Sequence, residues 1–274
     1  DDTNVPMFPI YVANEQHGFL EETRYPKAGD ENPQVRVGIV SVGVGQGIVW
    51  ADFDPCADQY FGQPFWTPDG ETLLVQWMNR DQNLLKIFAV NPLDGSGKVI
   101  YREEQPAWLE WIADPLFTQE GFLMVRDFES WQQIYLCSLE GNELQRLTNG
   151  QNWGITIHGT DPRGEFIFFS ARREISTRTD VYRVPMTGAL RKKDSSVRRL
   201  TDGEFNFTNV MFAPDYRHFT VLCSNVSTPA HSLLFSVDKG LIRQLGDSRG
   251  DAYALELEKG NIPVSEVHFI TTEH

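Results

Sequence analysis

One arrangement of residues recurs four times in this chain, and few folds can accommodate it. A strand of alternating apolar residues runs into a turn glycine at Ile87–Gly95, Ile134–Gly141, Val181–Gly188 and Leu233–Gly240. A short closing strand follows each, at Val99–Tyr101, Leu144–Leu147, Val197–Leu200 and Ile242–Leu245. Two closings are nearly identical: Arg146-Leu147-Thr148-Asn149-Gly150 and Arg199-Leu200-Thr201-Asp202-Gly203. A turn and a buried strand precede each unit, at Pro68-Asp69-Gly70, Gln119-Glu120-Gly121, Pro162-Arg163-Gly164 and Pro214-Asp215-Tyr216. Counted from Gly70 to Gly121, Gly164 and Tyr216, the turns lie 51, 43 and 52 residues apart. A period of roughly 40 to 50 residues, with four strands per unit, is the signature of β-propeller blades.

The bulk properties agree with a folded all-β chain. At 274 residues, core burial is not limiting. A hydrophobic content of 41% with 12% aromatics excludes a disordered chain. The net charge of −14 argues against a nucleic-acid-binding surface, which needs clustered Lys and Arg. The one basic run, Arg191-Lys192-Lys193, lies in a blade loop and reads as a solvated tip. Cys56, Cys137 and Cys223 are too few and too scattered for a disulfide framework or a zinc site. No apolar run reaches the roughly 18 residues that span a bilayer. No charged-then-apolar leader opens the chain, so it is expected to start after any targeting segment.

The repeat divides the chain. Residues 1–33 carry Pro6, Pro9, Pro26 and Pro33 and little periodicity, which suits an extended arm and not a packed strand pair. Residues 34–59 alternate through Val35–Val40 and Ile48–Trp50, like the two outer strands of a partial blade. Four full four-stranded antiparallel blades are expected over about 60–105, 106–150, 151–204 and 205–248. The second strand of a unit is continuously apolar, as in Phe166–Phe169 and Phe219–Leu222, as expected between neighbouring blades. Residues 249–274 read as a linker with a short helix stopping at Gly260 and a strand-like piece, Glu266–Thr271. A propeller usually closes by building one blade from both termini. Neither end offers such strands, so the expected architecture is a partial β-propeller.

Several motifs suggest chemistry and are better explained by structure. Gly246-Asp247-Ser248-Arg249-Gly250 fits a nucleophile elbow, but the strand before it, Leu241–Leu245, is a polar closing strand. Only Asp251, His268 and His274 follow as Asp or His partners, with no βα units to build a hydrolase sheet. Arg249-Gly250-Asp251 carries no weight as an adhesion signal. Asp52, Asp54 and Asp58 resemble a calcium loop, but Pro55 and Cys56 break it and position twelve is Gln63, so turn carboxylates are favoured. The glycines of Gly43–Gly47 lie between strands, which excludes a phosphate cradle at a helix start. Histidines show no paired metal spacing, so no metal or cofactor is expected. Sequons at Asn206-Phe207-Thr208 and Asn225-Val226-Ser227 take meaning only from the compartment. Trp108 and Trp111 open a blade near the channel, where they either line a ligand-facing wall or pack between blades. A glycan-active propeller would need several channel carboxylates, and only Asp114 and Asp161 are candidates.

Against this background, Arg24-Tyr25-Pro26-Lys27-Ala28-Gly29 with Asn32-Pro33 and Val35 resembles a "YPKAG…NP.V" element of the dipeptidyl peptidase IV family. There the element leads from an arm into the outer strands of a blade. Asp2–Pro6 is similar to the piece before that arm, and Gln76-Trp77 with Arg80 and Gln82-Asn83 resembles the family's "QW..R.QN" strand and turn. Trp108 with Pro115–Thr118, and the end near Tyr253 and Phe269–Thr272, are similar to the next blade and to the connection towards a hydrolase domain.

The resemblance implies the second half of the propeller of a serine exopeptidase that releases N-terminal dipeptides with Pro or Ala second. It puts the Ser-Asp-His triad in a later α/β-hydrolase domain and the paired amine-binding glutamates before residue 1, so Glu21-Glu22 is a decoy. This chain alone is then expected to be non-catalytic. Trp108 and Trp111 would line the substrate cavity, although the loop lacks the family's arginine. Phe8, Tyr11, Phe19 and Tyr25 of the arm would anchor a homodimer. The parent would be an exported protein. The alternative is a stand-alone propeller module that binds a partner protein.

Overall fold

The computed structural model describes residues 1–43, 47–141, 144–186, 197–246, 251–260, 265–268 and 270, with the backbone alone for 251–255. Two compact units emerge: Asp1–Ala113 with Ser138–Glu143, and Asp114–Cys137 with Leu144–His274. Nearly every element is a strand, and each larger sheet pairs strands in sequence order, so the chain is an all-β partial β-propeller.

The first unit begins with a hairpin, β1 (Met7–Val12) against β2 (Phe19–Arg24), with Phe8 opposite Thr23 and Tyr11 opposite Leu20. The expectation of an unpaired arm is therefore corrected. Pro9 is tolerated because each strand of a two-stranded sheet keeps one side free of ladder bonds. Strands β3 (Gly38–Val40) and β4 (Ile48–Trp50) form a second pair. A five-stranded sheet follows: β5 (Gln59–Phe61), β6 (Phe65–Trp66), β7 (Leu73–Asn79), β8 (Leu84–Val90) and β9 (Gly97–Glu104). Both β5 and β6 pair with β7, so the innermost position is shared by two short strands. Ile39 and Val49 meet Leu73, Val75 and Val90 in one core, capped by Phe53 edge-on to Phe61 and Phe88.

The second unit holds three four-stranded meanders. The first comprises β10 (Leu116–Thr118), β11 (Gly121–Arg126), β12 (Gln133–Cys137) and β13 (Leu144–Arg146). The next comprises β14 (Trp153–Thr160), β15 (Phe166–Arg172), β16 (Asp180–Pro185) and β17 (Arg198–Arg199). The last comprises β18 (Asn206–Phe212), β19 (His218–Asn225), β20 (Thr228–Ser236) and β21 (Gly240–Gly246). The uninterrupted apolar run of β15 has a direct cause. Ile167, Phe169 and Ala171 face one seam with Leu123, Ile134 and Leu136. Phe168 faces the other, with Phe207, Phe219 and Phe235. A strand buried on both faces has no place for the usual polar alternation. Each such phenylalanine contributes roughly 1.5–3 kcal/mol of burial.

Helix α1 (Asp251–Gly260) ends at the expected glycine. Glu266–His268 carries no strand, a correction to the expectation over 266–271. The elbow-like segment around Ser248 and the basic run Arg191–Lys193 lie outside the described residues. No described helix is long and apolar enough to cross a membrane. Cys137 and Cys223 are buried within strands, and burial pushes the Cys137 thiol up to about 11. Cys56 is exposed.

One contact locks the last two sheets together. Tyr216 lies in the turn before β19 with φ of +53°. Its ring stacks on Phe212 and tilts against Phe168, and its hydroxyl donates to the His158 carbonyl at 2.9 Å. The hydroxyl fills the space where a side chain on Gly159 would begin, and Gly159 has φ of +141°. Gly159→Ala should therefore cost about 3 kcal/mol or more. Tyr216→Phe should cost about 1–2 kcal/mol by leaving the carbonyl unpaired. Urea unfolding measures both, and equal losses would contradict a steric role for the glycine.

His158 also sets an acid limit. Its Nε2 lies 3.1 Å from Ser170 Oγ, and burial pushes the imidazole from the ordinary 6.5 down to about 4. The unfolded chain then binds a proton that the folded chain refuses, so stability is full above pH 6.5 and falls as pH drops towards 4. The loss is on the order of 3 kcal/mol. His158→Gln should flatten the melting temperature across that window, and an unchanged slope would refute the assignment.

Candidate functional site

The segment Gln105–Ala113 of the first unit carries both blade-opening tryptophans. It has no regular structure of its own and is held in place by bonds from the neighbouring sheet. Gln105 N donates to Asn83 O at 3.1 Å, and Leu109 N donates to Gln82 O at 2.8 Å. The decisive contact comes from Gln76, a polar residue in the apolar strand β7 that is 1% exposed. Its Nε2 donates to Ile112 O at 3.0 Å, while Ile112 N donates to its Oε1 at 2.8 Å. The same Nε2 donates to Gln63 O at 3.1 Å. A carboxamide presents a donor and an acceptor side by side, so it can pair with one residue's backbone as a strand would. Leu109 and Ile112 are buried beneath the segment.

That anchoring sets the two tryptophans. Trp111 lies against Gly62, where a β-carbon would come 2.5 Å from the ring's Cε3, so only glycine admits the indole there. Trp111 is half-buried and Trp108 is 58% exposed. Trp111 thus packs within its own unit, and Trp108 presents an exposed aromatic face. In the five-stranded sheet, Trp77 Nε1 donates to Gln59 Oε1 at 2.7 Å, and Lys86 lies 5.0 Å from the Trp77 ring centroid.

A concavity of about 590 Å³ elsewhere in the first unit is polar and is lined by Asp30, Asn32, Cys56, Asp58 and Arg80 among others. Arg80 Nη1 bonds Asp58 Oδ2 at 2.8 Å and its Nη2 donates to Asp30 O, while Asn32 Nδ2 donates to Asp58 Oδ1 and to the Tyr60 hydroxyl. Partial burial opposes the Asp58 charge, but the bonds from Arg80 and Asn32 outweigh it and hold the carboxyl below its usual range. Asp58 is thus a paired carboxylate and not only a solvated turn residue. Among the described residues, no group of three or more His, Cys, Asp or Glu side chains could hold a metal ion.

The arm residues lie on the hairpin. Phe8 is half-buried, 5.9 Å from the Tyr25 ring with Lys27 over its face, whereas Tyr11, Phe19 and Tyr25 are exposed. Glu21 and Glu22 sit side by side in β2, both exposed, facing opposite ways from the strand. Asp161 Oδ1 accepts from Phe166 N at 2.6 Å and caps its turn, while Asp114 is exposed with φ of +44°. Sequence reasoning named Gln76, Asp58 and Arg80 but missed the anchoring role of Gln76 and the Asp58–Arg80 pairing, and it missed Gly62 altogether. A lone glutamine inside Leu73–Met78 was the readable signal for the first. Gln76→Leu should leave both Ile112 groups unpaired, costing about 2–4 kcal/mol. It should also raise amide hydrogen exchange at Ile112 and quench-accessibility of Trp111. Unaltered exchange at Ile112 would overturn the anchoring role.

Comparison with known proteins places this geometry. Residues 1–230 match the family model "Dipeptidyl peptidase IV (DPP IV) N-terminal region". The chain is similar to dipeptidyl peptidase 4 of Trichophyton equinum, 25% identical over 198 residues covering 67% of this chain and 26% of the relative. It is also similar to probable dipeptidyl peptidase 4 of Aspergillus fumigatus, 26% identical over 201 residues with the same coverage. The chain thus spans about a quarter of the length of these relatives. In fold it resembles the crystal structure of Porphyromonas gingivalis dipeptidyl peptidase 4, with a TM-score of 0.76 and 24% identity over 93% of this chain and 36% of that one. A putative dipeptidyl aminopeptidase IV from Bacteroides ovatus gives a TM-score of 0.73 at 18% identity, over 91% of this chain and 38% of that one. With the repeat, the sheets and these matches together, the chain belongs to the dipeptidyl peptidase IV N-terminal region family.

Proposed function

We propose that this chain is the non-catalytic propeller portion of a serine-type dipeptidyl peptidase that removes dipeptides with Pro or Ala in the second position. The family match over residues 1–230, with an alignment that covers only 26% of the length of the Trichophyton relative, is the observation that carries this reading. In it, the nucleophile and its partners belong to a hydrolase domain outside these residues. The propeller contributes a wall of the substrate cavity and restricts access to it. Trp108 supplies an exposed aromatic face for substrate side chains, and Trp111, seated on Gly62, supports it. The hairpin β1–β2, with Tyr11, Phe19 and Leu20 exposed, supports a homodimer, since aromatic residues dominate interface cores.

The 274-residue chain should show no turnover of Gly-Pro or Ala-Pro chromogenic substrates, whereas the full-length enzyme should. In the full-length enzyme, Trp108→Ala should raise KM several-fold with a smaller change in kcat, as expected for lost ground-state contact. Turnover by the 274-residue chain that disappears in Ser248→Ala would reverse the assignment. A KM unaffected by Trp108→Ala would remove the loop from the substrate wall.

A further inference from the structure

The chain contains a single Asn-Gly dipeptide, Asn149-Gly150, which lies in the first of the two near-identical closings. The other closing carries Asp202-Gly203 at the same place. The dipeptide is exposed, but the residues around it, Thr148 and Asn152, are buried. Asn152 Nδ2 donates to Asn149 O at 2.9 Å, and Gly150 O accepts from Gln133 Nε2 at 2.7 Å. The Gly150 N–H has no acceptor among the described residues.

Arg173, just after β15, lies across this turn. Its Nη1 donates to Asn149 O and, at 2.8 Å, to Asn152 Oδ1, and its Nη2 donates to Asn149 Oδ1 at 3.1 Å. All three acceptors are neutral, while partial burial opposes the guanidinium charge. The same arginine favours glycine at position 150. A β-carbon there would come 2.8 Å from its Nη1, and φ is +79°, in the left-handed region. The fold therefore keeps, directly after Asn149, the one residue with no side chain to obstruct attack by its own amide nitrogen.

We propose that Asn149 deamidates spontaneously and that the resulting aspartate forms an ion pair with Arg173, fastening the closing turn to the end of β15. Water is the only co-reactant. The Gly150 nitrogen gives up its proton to solvent base and bonds to Asn149 Cγ. The Cγ–Nδ2 bond breaks, and that nitrogen takes a proton from water and leaves as ammonia. Water then opens the cyclic imide, and no atom is oxidised or reduced. Addition at Cγ restores the Gly150 peptide bond and leaves aspartate. Addition at the Asn149 carbonyl carbon leaves isoaspartate, with an extra carbon in the main chain. Between two pinned flanks the longer main chain is disfavoured, so aspartate is the main product. Its carboxylate faces Arg173 Nη2, and a neutral hydrogen bond becomes a charge-assisted one. The twin closing already accommodates Asp202, with the bonds from Val181 N to Thr201 Oγ1 and from Leu200 N to Val181 O in place.

The full chain, aged for days in mildly alkaline buffer, tests this. Mass spectrometry of the tryptic peptide 147–163 should show the amide of Asn149 exchanged for a carboxylic acid, with ammonia released in step. Labelling by a protein-isoaspartate methyltransferase should give a smaller isoaspartate share than in the free peptide 147–163 aged alongside. Asn149→Asp, the product itself, should melt about 1–3 °C above the wild type at low salt. The same substitution in an Arg173→Gln background should give no such gain. An intact Asn149 in the aged chain, an isoaspartate share equal to that of the free peptide, or a gain that survives Arg173→Gln would overturn the proposal.

Discussion

Two of the three blades of the second unit depend on a buried threonine hydroxyl. In the first meander, Ile134 N donates to Thr148 Oγ1 at 2.9 Å, and that hydroxyl donates onward to Gln133 Oε1 at 2.7 Å. In the next, Val181 N donates to Thr201 Oγ1 at 3.2 Å, and the hydroxyl donates to Asp180 Oδ1 at 2.9 Å. The residue before each threonine repeats a backbone bond as well, Leu147 N to Ile134 O and Leu200 N to Val181 O. These are the two near-identical closings of the sequence. A hydroxyl is the one small group that accepts a strand's N–H and donates to its side chain at once. Losing it would strand a buried donor at a cost of about 1–3 kcal/mol.

The same clasp is built in two electrical versions. Gln133 makes it neutral, with Asn152 Nδ2 donating to Gln133 Oε1 at 2.9 Å and Gln133 Nε2 to Gly150 O at 2.7 Å. Asp180, 1% exposed, makes it ionic and draws in Arg178 at 2.8 Å and Arg199 at 2.7 Å. Burial opposes the Arg178 charge, yet its bond to Asp180 prevails and holds the guanidinium proton more tightly. A buried carboxylate without such partners would be strongly unfavourable, so aspartate and arginines must occur together.

The legible part of the sequence was the part governed by strand period and turn chemistry. Turn glycines and closing strands marked the sheets, and the apolar run Phe166–Phe169 announced a strand covered on both sides. Trp108 and Trp111 could be placed on a blade-opening segment. Their division of labour could not, because it depends on Gly62 and Gln76, which are 46 and 32 residues before Trp108. The hairpin at Met7–Arg24 was obscured by Pro9, whose missing N–H matters only in a sheet with more strands. Asp58 was obscured because its partner Arg80 lies 22 residues on, across a sheet.

The double grip of Gln76 on Ile112 has a consequence for how such a chain can vary. The ends of the Gln105–Ile112 segment are fastened by groups belonging to β7 and the turn after it. Residues between the fasteners bear no ladder bonds, so their number and identity can change without altering the register of any sheet. The segment behaves as a replaceable cassette on a fixed mount, and a propeller with such mounts can acquire new surface chemistry while its blades stay the same.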